Sequence, residues 1–143
     1  MSGAGDASGP LLLDTNALIW VAGDEPLARE AEAAVDAAYG AAALHVSAVS
    51  AWEVGMLRSR LSLQGVFRDD VARWFREATS DLKVLPLDAV TALESTQLPD
   101  LWHRDPADRF LIAAARTHAL TLVTRDVRIL DYAARGHVKA LAC

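Results

Sequence analysis

Apolar positions along this chain alternate between short unbroken runs and longer stretches spaced for a helix. Leu11, Leu12 and Leu13 form one such run, which ends at Asp14-Thr15-Asn16 before Ala17, Leu18, Trp20 and Val21 follow with helical spacing. The pattern predicts strand, turn, helix. Pro26 fits the first position of a second helix, which would run through AREAEAAVDAAY to a stop at Gly40 and carry one polar and one alanine face. Leu44 to Val46 predicts a second strand. Ser47 to Arg60 then predicts a helix on which Val49, Trp52, Leu57 and Leu61 share a side. LSLQGVF reads as a loop. Arg68 to Thr79 reads as an amphipathic helix with Val71, Trp74 and Phe75 inward and arginines outward, and Leu82 to Leu85 as a strand closed by Pro86. Asp88 opens a short helix to Thr96, LPDLWHRDP is a loop, and Ala107 to Ala119 has the strongest helical pattern. Leu120 to Val123 is a strand with Thr124-Arg125-Asp126 as its exit. Val127 to Ala134 is a last helix ended by Gly136, and Val138 to Leu141 a final strand.

Strands alternating with helices predict an α/β fold whose parallel sheet is covered on both faces, with sites at the carboxyl ends of the strands. At 143 residues, 52% hydrophobic and 23% charged, the chain has the make-up of one globular domain, expected over residues 10–143. A chain of this size buries about two thirds of its unfolded surface. Residues 1–9 are small and polar, so a disordered tail is expected there. They lack the features of a signal peptide, and no apolar stretch has the length of a membrane span. Cys143 is the one cysteine, which excludes an intrachain disulfide and a cysteine-based zinc cluster. A cytoplasmic protein with no membrane partner is the expectation.

Four acids stand at junctions of these elements: Asp14 in LLLDTNAL, Glu53 in SAVSAWEVGML, Asp108 in HRDPADRFLIAAA and Asp126 in LVTRDVRIL. Each lies in mostly apolar surroundings, where a carboxylate needs compensation. Taken singly, each has a bland explanation. Asp14 and Asp126 fit helix N-caps, Ser50 and Glu53 match the S-x-x-E capping box, and Asp105-Pro106 is a good helix opening with Asp108 near its positive end. Taken together, Asp14 and Asp126 fall at strand ends and Glu53 and Asp108 in first turns expected to face the same edge. A shared metal site accounts for all four. Hard cations such as Mg²⁺ or Mn²⁺ take oxygen ligands, and a pair of them about 3.5–4 Å apart can activate water and stabilise the leaving oxygen of a phosphodiester.

These motifs resemble those of PIN-domain ribonucleases, specifically the VapC-like toxins of bacterial toxin–antitoxin pairs, from Leu11 to the end of the chain. The resemblance implies a three-layer α/β/α fold with a central parallel sheet and a metal-dependent endoribonuclease using Mg²⁺ or Mn²⁺. It also implies a cognate antitoxin protein that blocks the site, and frequent homodimers. Residue by residue, it places the family's four acids on Asp14, Glu53, Asp108 and Asp126, and its accompanying polar positions on Asn16 and Thr124. Asp105 is a further supporting position, as a cap or a peripheral water-mediated ligand.

A net charge of −5 argues against a nucleic-acid partner, since phosphate binding rests on Lys and Arg. Two divalent ions would neutralise most of that charge, and arginines cluster at Arg58, Arg60, Arg68, Arg73 and Arg76 and again at Arg104 and Arg109. Arg104 and Arg109 are the candidates to hold RNA phosphate, although Arg109 equally suits a pair with Asp105. His103 reads as an ordinary loop side chain. Trp52 and Trp74 have the spacing of core or dimer packing, and Trp20 with the alanine-rich face of the first helices suggests a protein partner. Two other readings compete. A phosphatase with an aspartate nucleophile is disfavoured, because DTNAL has no second aspartate two positions on. A non-catalytic PIN-like module that pairs with a regulator, its acids serving as caps, predicts no metal binding.

Overall fold

Alternating side chains on the first strand divide the protein into its layers. The computed structural model describes residues 9–68, 70–100 and 104–143. Its strands are β1 (Leu11–Leu13), β2 (Leu44–Ser47), β3 (Lys83–Leu85), β4 (Thr121–Thr124) and β5 (Ala140–Ala142), all parallel in the order β3-β2-β1-β4-β5. Its helices are α1 (Thr15–Ala22), α2 (Arg29–Gly40), α3 (Ala48–Met56), α4 (Arg58–Leu63), α5 (Val71–Ala78), α6 (Ala89–Ser95), α7 (Pro106–Thr117) and α8 (Val127–Ala134).

Successive strand residues point to opposite faces. Leu11 and Leu13 enter a core with Leu18, Val35, Leu44 and Val46, roofed by α1 and α2 and flanked by Trp74 and Phe75 of α5. Leu12 enters the other core, with Leu111, Ile112, Leu122, Ile129 and Tyr132 beneath α7 and α8. All three leucines are fully buried, which is why the run is continuous and not alternating. Helix, sheet and helix thus form the expected three-layer α/β/α arrangement. Helix α6 packs on α7, as does α3. No helix among the described residues is long and apolar enough to cross a membrane.

Several boundaries differ from the sequence expectation for identifiable reasons. Helix α2 starts at Arg29 and not at Pro26: Ala28 is extended (ψ 144°), and its N–H donates at 3.1 Å to the carbonyl of Cys143, just past β5. The expected helix over Ser47–Arg60 breaks at Leu57, and α4 extends into the expected LSLQGVF loop because Leu61 is buried there. Helix α5 begins after Asp70, whose carboxylate accepts the Ala72 and Arg73 N–H groups. Thr124 belongs to β4 and is not part of its exit, and β5 starts two residues later than Val138. Gly40 is the last residue of α2 and not its stop. The left-handed position falls on Ala42 (φ 55°), as it falls on Ala119 (φ 55°) after α7. In both, the next N–H reaches back at 2.8 Å, Ala43 to the carbonyl of Ala38 and Leu120 to that of Ala115, closing a Schellman cap. Of the expected tail only Gly9 is described; Trp102 and His103 also lie outside the described residues.

Candidate functional site

The sheet order reverses at β1: the chain moves out to β2 and β3 on one side and to β4 and β5 on the other. Such a switch point opens a crevice at the carboxyl ends of the strands. A cleft of about 380 Å³ lies there, lined by Asp14, Glu53, Asp108 and Asp126 together with Thr15, Asn16, Trp20, Leu57, Arg60, Leu111 and Arg125. The four acids predicted to converge therefore meet in one place.

Asp14 is the first residue after β1 and the N-cap of α1, its Oδ1 accepting the Ala17 N–H at 2.7 Å. The cap and the site readings are compatible, since the cap uses one carboxylate oxygen. The register Leu13 to Val123 sets Asp14 beside the fully buried Thr124. The Thr124 hydroxyl accepts the Asp126 N–H at 3.0 Å and lies beside the Asp14 carboxylate, where it favours the ionised form. Burial raises the Asp14 carboxyl above its ordinary value, and the charges of Asp108 and Asp126 add to this against the hydrogen bonds from Thr124 and Ala17.

Glu53 lies six residues into α3 and not in its first turn. The expected capping box is also absent, because Ser47 is the N-cap and Ser50 sits buried inside the helix. The Ser50 hydroxyl instead pairs with that of Thr15 at 2.9 Å, and Thr15 donates a short hydrogen bond to the Glu53 carboxylate. Burial raises the Glu53 carboxyl, partly offset by that hydrogen bond, and the charges of Asp108, Asp105 and Asp14 push it further up. Thr15 was not singled out from sequence, and Ser50 was read only as half of a capping box. The usable signal was the S-x-x-E spacing, which sets Ser50 and Glu53 on one helix side whether or not a cap forms.

Asp108 is the third residue of α7, and Asp105 caps that helix by accepting the Asp108 N–H at 3.2 Å. Asp105 itself is exposed and outside the cleft lining. Asp126 caps α8 and is held by Arg128 at 3.2 Å, whose guanidinium also lies 3.9 Å from Asp108. Burial acts upward on Asp126, but the hydrogen bonds and charge of Arg128 outweigh it and hold the carboxyl below its ordinary value.

The arginines fall differently from expectation. Arg109 follows Asp108 in α7 and so projects about 100° around the helix from it. Its Nε donates to the Ser95 carbonyl at 2.8 Å, towards α6. Arg104 is exposed and, like Arg109, outside the cleft lining. Among the described residues, the cationic side chains that line the cleft are Arg60 and Arg125. Asn16 lines the cleft as expected, exposed on α1. Trp74 is half-buried against the core, whereas Trp52 is 56% exposed and does not pack inward. The alanine face of α2 is spent on the protein's own core through Ala31, Ala34 and Ala38.

Every candidate ligand in the cleft is a hard oxygen donor, the set suited to Mg²⁺ or Mn²⁺. Asp14 and Glu53 hold a proton more tightly than ordinary carboxyls, chiefly because burial disfavours their charged forms and secondarily because other carboxylates stand nearby. Among the described residues, no three His, Cys, Asp or Glu side chains stand close enough to grip one ion. Each carboxylate is instead engaged locally, Glu53 by Thr15, Asp14 by Ala17 and Thr124, Asp108 and Asp126 by Arg128.

Fold and cleft together define a doubly wound α/β/α domain with an acidic crevice at its switch point. Residues 11–135 match the PIN domain family, and the chain belongs to it. It is 29% identical over 122 residues to ribonuclease VapC22 of Mycobacterium tuberculosis, covering 85% of this chain and 91% of that protein. Among solved structures it resembles VapBC2 from Rickettsia felis bound to a DNA fragment of its promoter, with a TM-score of 0.66 at 15% identity over 93% of this chain and 98% of that one. FitAcB from Neisseria gonorrhoeae gives 0.61 at 20% identity, covering 92% and 96%. A toxin–antitoxin complex from Klebsiella pneumoniae gives 0.54 at 25% identity, covering 81% and 86%.

Proposed function

We propose that this PIN-domain protein is a cytoplasmic, Mg²⁺- or Mn²⁺-dependent endoribonuclease that acts as the toxin of a toxin–antitoxin pair. The observation that carries the reading is the meeting of Asp14, Glu53, Asp108 and Asp126, from four separate elements, in one cleft at the sheet's switch point. The similarity to ribonuclease VapC22 supports the substrate class, and the toxin–antitoxin complexes among its structural relatives support the role. Asp14, Glu53 and Asp108 would hold the ion, with Asp126 completing the site, once their carboxylates turn towards it from the local partners that engage them in this structure. A bound divalent ion would polarise the phosphodiester and make a water nucleophilic. Thr124 orients Asp14, Thr15 orients Glu53, Asn16 lines the mouth, and Asp105 acts from outside through charge and the α7 cap.

A cognate antitoxin and a second copy of the chain are the protein partners in this reading. Trp52 and Met56, one turn apart on α3, and Val90 and Leu93 on α6 are exposed apolar side chains on two helices that both pack on α7. They supply the anchors that such contacts use.

The test is cleavage of a mixed structured-RNA pool by wild type and Asp14→Asn, each with Mg²⁺, Mn²⁺ or EDTA. Asparagine preserves the α1 cap, which alanine would remove. Metal-dependent cutting by wild type that disappears in the variant is the expected result. No cutting by either, with no Mn²⁺ binding in calorimetry, would replace the nuclease with the non-catalytic binding module.

A further inference from the structure

We infer that Arg60 and Arg125, the latter stacked on Trp20, are the groups that hold the phosphates of single-stranded RNA on either side of the acidic cleft. The inference rests on the nuclease reading and names its substrate contacts. A polyanion approaching four carboxylates is repelled unless cations stand along its path. Arg128 and Arg109 do not line the cleft: one pairs with Asp126 and the other turns towards Ser95, so Arg60 and Arg125 are the described cations on that path.

Arg125 follows β4 directly, between Thr124 and Asp126, and its guanidinium lies 3.8 Å from the centroid of the Trp20 ring. Its Nη2 donates to the Pro26 carbonyl at 3.2 Å. An exposed arginine normally gives up much side-chain freedom on binding phosphate. Here the indole covers one face and the carbonyl takes one donor, which leaves the remaining N–H groups in a fixed fork suited to phosphate oxygens. Arg60 comes from α4, at the far end of the β2 connection that also carries Glu53. The two arginines come to this cleft from the connections that follow β2 and β4, the strands on either side of β1. RNA lying across the carboxyl edge of the sheet would pass one, then the carboxylates, then the other.

The test measures binding of a short fluorescein-labelled single-stranded RNA of mixed sequence to Asp14→Asn protein by anisotropy across a salt series. Arg60→Gln and Arg125→Gln, each added to that background, should weaken binding about tenfold and flatten the slope of log K against log salt by about 0.7. Arg125→Lys keeps the charge and loses the fork, so it should restore the slope but not the full affinity. Melting curves of each variant identify any loss of fold, and Arg60→Gln tests the proposal without the Trp20 stack. Unchanged affinity and slope in Arg60→Gln and in folded Arg125→Gln would overturn it, as would a loss seen with Arg104→Gln or Arg109→Gln in their place. Absence of RNA binding by the parent at low salt would overturn it too. The nuclease reading is scored separately by wild-type cleavage, so cutting can be present while these contacts are refuted.

Discussion

Arg128 grips Asp126 with two donors, Nη2 at 3.2 Å from Oδ2 and Nε at 3.4 Å from Oδ1. The same guanidinium lies 3.9 Å from Asp108, so one internal cation serves two carboxylates of the proposed metal site. Arg128 is half exposed, and ion pairs of that kind contribute little to stability, which leaves it free to be displaced. Removing it should therefore tighten metal binding. Arg128→Ala is expected to bind Mn²⁺ several-fold more tightly in calorimetry, with a small fall in melting temperature in EDTA from the uncompensated carboxylates. Equal or weaker Mn²⁺ affinity in the variant would show that Arg128 does not compete for the site.

Asp14 is destabilising as an anion in its own fold, because it is buried beside other carboxylates. Asp14→Asn keeps the α1 cap and removes that charge, so the metal-free variant should melt a few degrees above wild type, a gain of about 1 kcal/mol. Added Mn²⁺ should raise the melting temperature of wild type and leave the variant nearly unmoved. A variant that melts well below wild type would mean that the carboxylate is structural.

The pH dependence follows from the raised carboxyls of Asp14 and Glu53. In each, the folded state holds its proton more tightly than the unfolded chain, so their contribution to stability is full below the ordinary values of 3.8 and 4.5 and is lost as pH rises through the folded values. Asp126 acts in the opposite sense, losing its contribution as pH falls below 3.8. Metal-free protein should accordingly lose melting temperature as pH rises above 4.5, and Asp14→Asn should reduce that slope. Excess Mn²⁺ should reverse the trend, since the ligands bind it deprotonated. A metal-free stability that climbs steadily above pH 4.5 would contradict the assignment.

Thr15 acts through Glu53 and is a positioning residue. Thr15→Val removes the donor while keeping the shape, which should lower Mn²⁺ affinity and cleavage by about 10–100-fold and shift the acid limb of the pH–rate profile upward. Thr15→Ser should restore both. Failure of serine to rescue would assign the effect to packing around Ser50.

The left-handed alanines at Ala42 and Ala119 carry conformational strain that glycine would not. Ala42→Gly and Ala119→Gly should each stabilise by about 0.5–1 kcal/mol, the relief of strain exceeding the added freedom of the unfolded chain. Both positions lie after helices and away from the cleft, so chemical denaturation should show the gain with cleavage unchanged.

The α/β alternation, the burial of Leu11 to Leu13 on both faces, and the four acids that meet in the cleft, Asp14, Glu53, Asp108 and Asp126, were all legible in the chain's local pattern. These are local signals: a change of apolar period, a cap residue, and a carboxylate in apolar surroundings can each be read within one turn or strand. Which side chains reach the cleft depends on the assembled fold. The Arg104 and Arg109 cluster lies close to Asp108 in sequence, yet the helical rotation after Asp108 sends Arg109 towards Ser95, while Arg60 and Arg125 arrive from distant segments. The Thr15–Glu53 bond spans 38 residues, and the approach of Thr124 to Asp14 depends on the pairing of β1 with β4. Residues at helix ends likewise meet distant partners, as where the Ala28 N–H before α2 reaches the Cys143 carbonyl. Directional contacts between segments far apart in the chain depend on strand order and register, and those emerge only when the whole sheet has assembled.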